Sequence, residues 1–229
     1  MGVQIGLEEL PMGELVHLAH RMDDDDLRRG KPTNHRVYGE GMALLAGDAL
    51  LAWAFEFALA GLARAELPSE RIMEALRVFA EAVGPRGICG GQVRDTDVRS
   101  QSEDPEDVWV IARTKTAVLL RSALTGGAIL AGAEPQAVQA YRDYGTHLGT
   151  AFQIVDDILD VSGDSATLGK TAGKDAAQGK RTFVSVYGLS RARELAEQES
   201  CLARTALVPV CGEDHPLLDL VTSLVERTR

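Results

Sequence analysis

Aromatic side chains are scarce in this chain: two Trp, four Tyr and five Phe, or 5% of 229 residues. Sheets draw on aromatic and β-branched residues, and no stretch alternates apolar with polar convincingly. A chain with 45% hydrophobic residues, dominated by Ala and Leu, is therefore expected to be helical. Only three cysteines are present, Cys89, Cys201 and Cys211, at spacings that suit neither a metal site nor a disulfide framework, so reduced thiols in a cytoplasmic protein are expected. Basic residues are outnumbered, 24 against 34, and the net charge of −10 with no basic face argues against a nucleic-acid partner. No basic stretch followed by an apolar run opens the chain, so no signal peptide is expected. The longest apolar run, Ala49 to Ala63, is interrupted by Glu56 and is short for a bilayer, which predicts a soluble protein without stable membrane insertion. The length suffices for one sizeable core, and a single domain is the default.

Helical signals recur along the chain. Gly41 to Glu66 reads as one long apolar helix, with Gly47 and Asp48 breaking its surface. Pro68 and Ser69-Glu70, with Glu74 following, start another through Val83. Asp104 at the N-cap, Pro105 after it and acids in the first turn predict a helix over Val108 to Leu124, with Gly126-Gly127 loosening its end. Pro135 begins a helix that leads, past Tyr144-Gly145, into a further apolar segment. Residues 163–179, rich in Gly, Lys, Ser and Thr, read as a loop, and helix returns around Leu189 to Ala203. The expected architecture is an all-α bundle with polar motifs at helix ends.

The most informative segment is Phe152-Gln153-Ile154-Val155-Asp156-Asp157-Ile158-Leu159-Asp160. On a helix Asp156 and Asp160 share a face, Asp157 sits about 100° around, and Gln153 lies one turn earlier. Three unneutralised carboxylates in an apolar helix repel one another and resist burial, whereas a hard divalent cation would reconcile them. Mg²⁺ takes oxygen ligands and typically uses one or two protein carboxylates, leaving room for water and phosphates. A solvated acidic patch is the plainer alternative, though its flanks would then be polar.

A second cluster, Asp23-Asp24-Asp25-Asp26 followed by Leu27-Arg28-Arg29, sets potential metal ligands beside bidentate anion binders. A loop whose opposite charges pair internally would look the same. Lys115, before Thr116, falls in an apolar helix where it needs a partner or must extend to the surface. Lys170, Lys174 and Lys180 follow the second acidic segment. Together these residues describe a cavity that holds a polyphosphate through metals and ion pairs. His17 and His20 read as ordinary surface histidines, and Gly90-Gly91-Gln92 as a close helix approach rather than a nucleotide loop.

These stretches resemble the trans-prenyl diphosphate synthase family of the short-chain type, the farnesyl and geranylgeranyl diphosphate synthases. The matching residues are Asp23 to His35, Leu45-Ala46-Gly47-Asp48-Ala49-Leu50, Gly90-Gly91-Gln92, Lys115-Thr116, Phe152 to Asp160 and Gly169-Lys170, in the family's order. The resemblance implies one all-α domain over residues 1–229, of the isoprenoid synthase type, around a deep central cavity across which two aspartate-rich motifs face each other. It implies a homodimer, several Mg²⁺ ions, and isopentenyl and allylic diphosphates as substrates. Residue by residue, it implies that Asp23, Asp156, Asp157 and Asp160 bind metal. Arg28 would hold the allylic diphosphate and Arg29 isopentenyl diphosphate. Lys115, Thr116, Gln153, Lys170 and Lys180 would contact substrate, with Lys115, Asp156 and Lys170 taking part in catalysis. The family's first motif normally opens with an Asp-Asp pair, but here His20-Arg21-Met22 precedes Asp23; an upstream Gly-Lys-Arg region is absent too. Because Arg28 and Arg29 keep their context, the expectation is that the N-terminal helices and part of the first motif are omitted from this chain, rather than lost from a divergent homologue.

The implied reaction is head-to-tail elongation to a farnesyl or geranylgeranyl product. Ionisation breaks the allylic C–O bond, the double bond of isopentenyl diphosphate attacks the carbocation, and a proton leaves to the released diphosphate. Apolar faces around Leu120 and Phe152 would keep water from the cation. Two alternatives are a class I terpene cyclase, which leaves Arg29 and Lys31 unexplained, and a catalytically impaired partner subunit.

Overall fold

A computed structural model describes residues 26–28, 30–96, 104–162 and 180–226. The described chain divides into two compact units, one ending at Glu66 and the other beginning at Leu67. As the composition predicts, helices dominate, and the described strands are two residues long.

In the first unit, β1 (Leu27–Arg28) pairs antiparallel with β2 (Lys31–Pro32), in the register Leu27 opposite Pro32. Gly30, at φ +76, supplies the left-handed backbone such a turn requires. The Thr33 N–H donates to the Asp26 carbonyl at 2.9 Å, and Arg36 forms an ion pair with Asp26. Then come α1 (Asn34–Tyr38) and α2 (Glu40–Leu62). At 23 residues α2 is, among the described residues, the one helix long and apolar enough by length and composition to cross a bilayer. It exceeds the apolar run read from the sequence because a helix tolerates polar residues that interrupt a run. Asp48 and Glu56 in its body would be costly in hydrocarbon.

The second unit begins with α3 (Ser69–Val83) and α4 (Ile88–Thr96). Next, α5 (Glu106–Ile111) runs through a π-helical turn (Ala112–Ala117) into α6 (Val118–Ala131). Asp104 accepts the Glu106 N–H at 2.9 Å, the cap its position predicts. Gly126-Gly127 does not end α6, which stops five residues later where Gly132 adopts φ +74.

The long α7 (Pro135–Ser162) passes straight through Tyr144-Gly145. A Cβ on Gly145 would stand 2.6 Å from the Arg121 Cα, and one on Gly149 would stand 2.3 Å from the Ala117 Cα. These glycines, one turn apart, therefore let two backbones touch instead of breaking the helix. Two further helices, α8 (Phe183–Tyr187) and α9 (Leu189–Cys211), precede α10 (Pro216–Glu226). The core of this unit gathers Tyr144, Leu148, Ala151, Ile154, Val155 and Ile158 of α7 with Leu195, Ala203 and Leu207 of α9 and Leu218 and Val221 of α10. The spacing of three and four residues on α7 is the periodicity of one buried helical face. Each large apolar side chain so buried contributes about 1.5–3 kcal/mol.

Candidate functional site

The acidic segment occupies the last turns of α7, with its apolar neighbours Ile154, Val155 and Ile158 facing the core. That packing fixes where the carboxylates point. Asp157 and Asp160 are 5% and 3% exposed, while Asp156 is half-buried. Burial of carboxylates at this depth demands compensation. For Asp157 two compensating bonds are visible. Its Oδ1 accepts the Gln153 side-chain amide at 2.8 Å, and its Oδ2 accepts the Phe183 N–H at the head of α8, also at 2.8 Å. Asp156 and Asp160 are not without partners either.

Gln153 extends the chain of bonds to the neighbouring segment, since the Thr116 hydroxyl donates to its Oε1 at 2.6 Å. Thr116 and Lys115 lie in the π turn, where the widened backbone interrupts regular helix; such bulges recur at functional sites. The Lys115 ammonium, half-buried, forms an ion pair with Asp95 of α4 at 2.5 Å. Sequence reasoning required a partner for Lys115 and did not find Asp95, twenty residues earlier. The signal was present in Gly91: a Cβ there would stand 2.5 Å from the Lys115 backbone N, so α4 and the π turn lie in contact. The close approach read from Gly90-Gly91-Gln92 is therefore observed.

Beyond residues 163–179, the chain re-enters at Lys180 and Arg181, both half-buried. Thr182 caps α8 with a reciprocal box: its hydroxyl accepts the Ser185 N–H at 3.1 Å, and the Ser185 hydroxyl oxygen accepts the Thr182 N–H at 2.8 Å. Phe183 packs edge-on against Trp109, with ring centroids 4.9 Å apart, and the Trp109 indole N–H donates to the Tyr187 hydroxyl at 3.0 Å. Arg181 lies 4.0 Å from Asp107, which Arg94 approaches at 3.7 Å. Arg94 and Arg181 carry no sequence motif, and Asp107 reads only as a first-turn acid. Lys180 thus immediately precedes an acid-anchored, aromatic-backed helix start.

The structure therefore brings together Lys115, Thr116, Gln153, Asp156, Asp157 and Asp160, with Lys180 three residues from the Asp157 partner Phe183. Arg28 lies in β1, described by its backbone alone, while Asp23, Arg29 and Lys170 lie outside the described residues. Phe152 is 40% exposed and Leu120 partly buried, so of the two only Leu120 packs against the core. Among the described residues, no three acidic, His or Cys side chains converge closely enough to hold an ion by themselves. The side-chain donors at this end of α7 are carboxylate oxygens, the type a hard divalent cation such as Mg²⁺ takes.

Residues 20–206 match the family profile described as polyprenyl synthetase. The chain is 46% identical over 215 residues to the chloroplastic geranylgeranyl pyrophosphate synthase 11 of Arabidopsis thaliana, covering 90% of this chain and 58% of that protein. The chain thus spans less than two thirds of that curated relative's length. Among solved structures, geranylgeranyl pyrophosphate synthetase from Pyrococcus horikoshii Ot3 superposes with a TM-score of 0.81 at 29% identity, covering 93% of this chain and 75% of that one. A geranyltransferase from Helicobacter pylori, complexed with magnesium and isoprenyl diphosphate, gives 0.73 at 28% identity, covering 94% and 72%.

Proposed function

Because this chain belongs to the polyprenyl synthetase family, we propose that it serves a Mg²⁺-dependent prenyltransferase that joins isopentenyl diphosphate to an allylic diphosphate. The product is a short-chain prenyl diphosphate, farnesyl or geranylgeranyl. The observation that carries this reading is the bonded series Thr116, Gln153, Asp157 and Phe183, which seats three acids beside a lysine and at a helix start.

In this reading the half-buried Asp156 and the deeper Asp160 offer carboxylates to Mg²⁺. Both oxygens of Asp157 already accept protein hydrogen bonds, each keeping one further lone pair, so it orients the segment before it ligates. When bound, the ions supply the positive charge that lets a diphosphate depart. Lys115, steered by Asp95, and Lys180 supply further cations toward the same anion, and Lys170, Arg28, Arg29 and Asp23 are assigned to substrate and metal by family position. The allylic C–O bond breaks, a C–C bond forms to isopentenyl diphosphate, and one proton leaves with the diphosphate released. Core helices exclude water from the cation, Leu120 among their residues.

The assembly we propose is a homodimer, supported by α2, which leaves Leu44, Leu45, Leu51, Phe57 and Leu59 exposed. A reducing cytoplasmic setting is supported by three unpaired cysteines.

The test is incubation of the protein with Mg²⁺, isopentenyl diphosphate and geranyl or farnesyl diphosphate, followed by chromatography. A product longer by one five-carbon unit is expected, lost with a chelator and in Asp156→Ala. Hydrocarbons formed from the allylic substrate alone would instead indicate a cyclase, and full activity in Asp156→Ala would overturn the metal assignment.

A further inference from the structure

The second unit holds another polar site, remote from the acidic segment. Arg77 and Glu81 of α3, Arg121, Ser122 and Thr125 of α6, and Arg142 of α7 line a cleft of about 40 Å³. At ~10–15 Å³ for one water, that admits roughly three waters or one tetrahedral oxyanion. Arg142 precedes Asp156 by fourteen residues on one helix, about 21 Å at 1.5 Å per residue.

The charges here do not balance. Arg77 is satisfied by Glu74 at 2.8 Å and Glu81 at 3.0 Å, and Arg86 approaches Glu81 at 3.8 Å. Arg121 and Arg142 remain, each reached by these same acids only at longer range, Arg142 by Glu74 and Arg121 by Glu81. Among the described residues no carboxylate closes an ion pair with either guanidinium. Burial, then the neighbouring Arg142 charge, holds the Arg121 guanidinium below its ordinary range, against a weaker opposing pull from Glu81. Two buried polar atoms are also unpartnered: the Nε of Arg142 and the hydroxyl of Thr125, a residue that is 0% exposed.

A buried donor left unmade costs about 1–3 kcal/mol, and water could fill that role without relieving the repulsion between two like charges. An oxyanion does both. Guanidinium forks match tetrahedral oxygens, and a threonine hydroxyl donates to them. We propose that Arg121, Arg142 and Thr125 form a binding site for a small free oxyanion of the phosphate or sulfate type, which cross-links α6 and α7.

The probe is inorganic phosphate, then sulfate, titrated into the Mg²⁺-free protein by calorimetry and thermal melting against chloride at equal ionic strength. One site is expected, with a rise in Tm that grows with the logarithm of phosphate concentration. Arg142→Gln and Thr125→Val should each weaken binding at least tenfold. Without phosphate, Arg142→Gln should melt at or above the parent temperature, because it relieves the repulsion; a merely structural arginine would lower it. Lys115→Gln, in the proposed catalytic site, should retain the phosphate response. No response beyond the chloride control, an unchanged response in Arg142→Gln and Thr125→Val, or its loss in Lys115→Gln would each overturn the proposal.

Discussion

Asp157 accepts the backbone N–H of Phe183 at 2.8 Å across 26 residues of sequence, joining the end of α7 to the start of α8. The acceptor is charged and nearly inaccessible, and the donor belongs to the first turn of a helix, where N–H groups have no helical acceptor. This bond sets Lys180 and Arg181 on a fixed platform. It commits Asp157 to the scaffold, whereas the proposed function gives Asp156 to a cation.

That division predicts separable effects. Asp157→Ala should lower stability by about 2–4 kcal/mol, because it strands the Phe183 N–H and the Gln153 amide in the interior. Asp156→Ala should cost less than about 1 kcal/mol while abolishing nearly all turnover. Denaturant titration and steady-state assay of both variants check this. Equal losses of stability would show that the two acids do the same work.

The tight crossing of α6 and α7 gives a second contrast. In Gly149→Ala the new methyl would stand 2.3 Å from the Ala117 Cα, with backbone unable to yield, and a loss of about 1–3 kcal/mol is expected. In Gly127→Ala, in the interior of α6, nothing lies within 4 Å of the new methyl. Alanine there should stabilise by about 0.5–1 kcal/mol through its helix propensity. Melting temperatures moving in opposite directions are the expected result.

The same two helices show what the sequence could and could not reveal. Apolar spacing on α7 announces both the helix and its buried face, and the acids stand out because they interrupt that spacing. Yet the purpose of Gly145 was not legible, because a glycine that weakens a helix locally can permit a close contact that repays the loss, as it does against Arg121. The π turn was invisible, since no residue pattern in Ala112 to Ala117 distinguishes a widened turn from ordinary helix. Asp95 and the Arg121–Arg142 cleft are products of tertiary contact between elements distant in sequence. No local spacing encodes them.

Lys115 and Asp95 supply a third prediction. Both are mostly buried, and Asp95→Asn keeps the shape while removing the charge that the ammonium faces. A loss of about 1–2 kcal/mol is expected, most of it recovered in the double variant Lys115→Met with Asp95→Leu, which leaves no charge behind. A double-mutant cycle by chemical denaturation measures the coupling, and a coupling indistinguishable from zero would refute the assignment.

Tyr144 provides the fourth, on pH. Its hydroxyl donates to the Leu217 carbonyl at 2.6 Å, fastening α7 to α10. Burial, and secondarily the nearby Cys211, push its pKa up to about 12 from 10.0. The unfolded chain therefore releases this proton first as pH rises. Stability from the neutral phenol is complete below pH 10 and is lost between about 10 and 12. The melting temperature of the parent should accordingly fall more steeply over that interval than that of Tyr144→Phe, which starts lower by one hydrogen bond, about 1 kcal/mol, and has no proton to lose there. Parallel curves for the two proteins would mean that another group governs the alkaline transition.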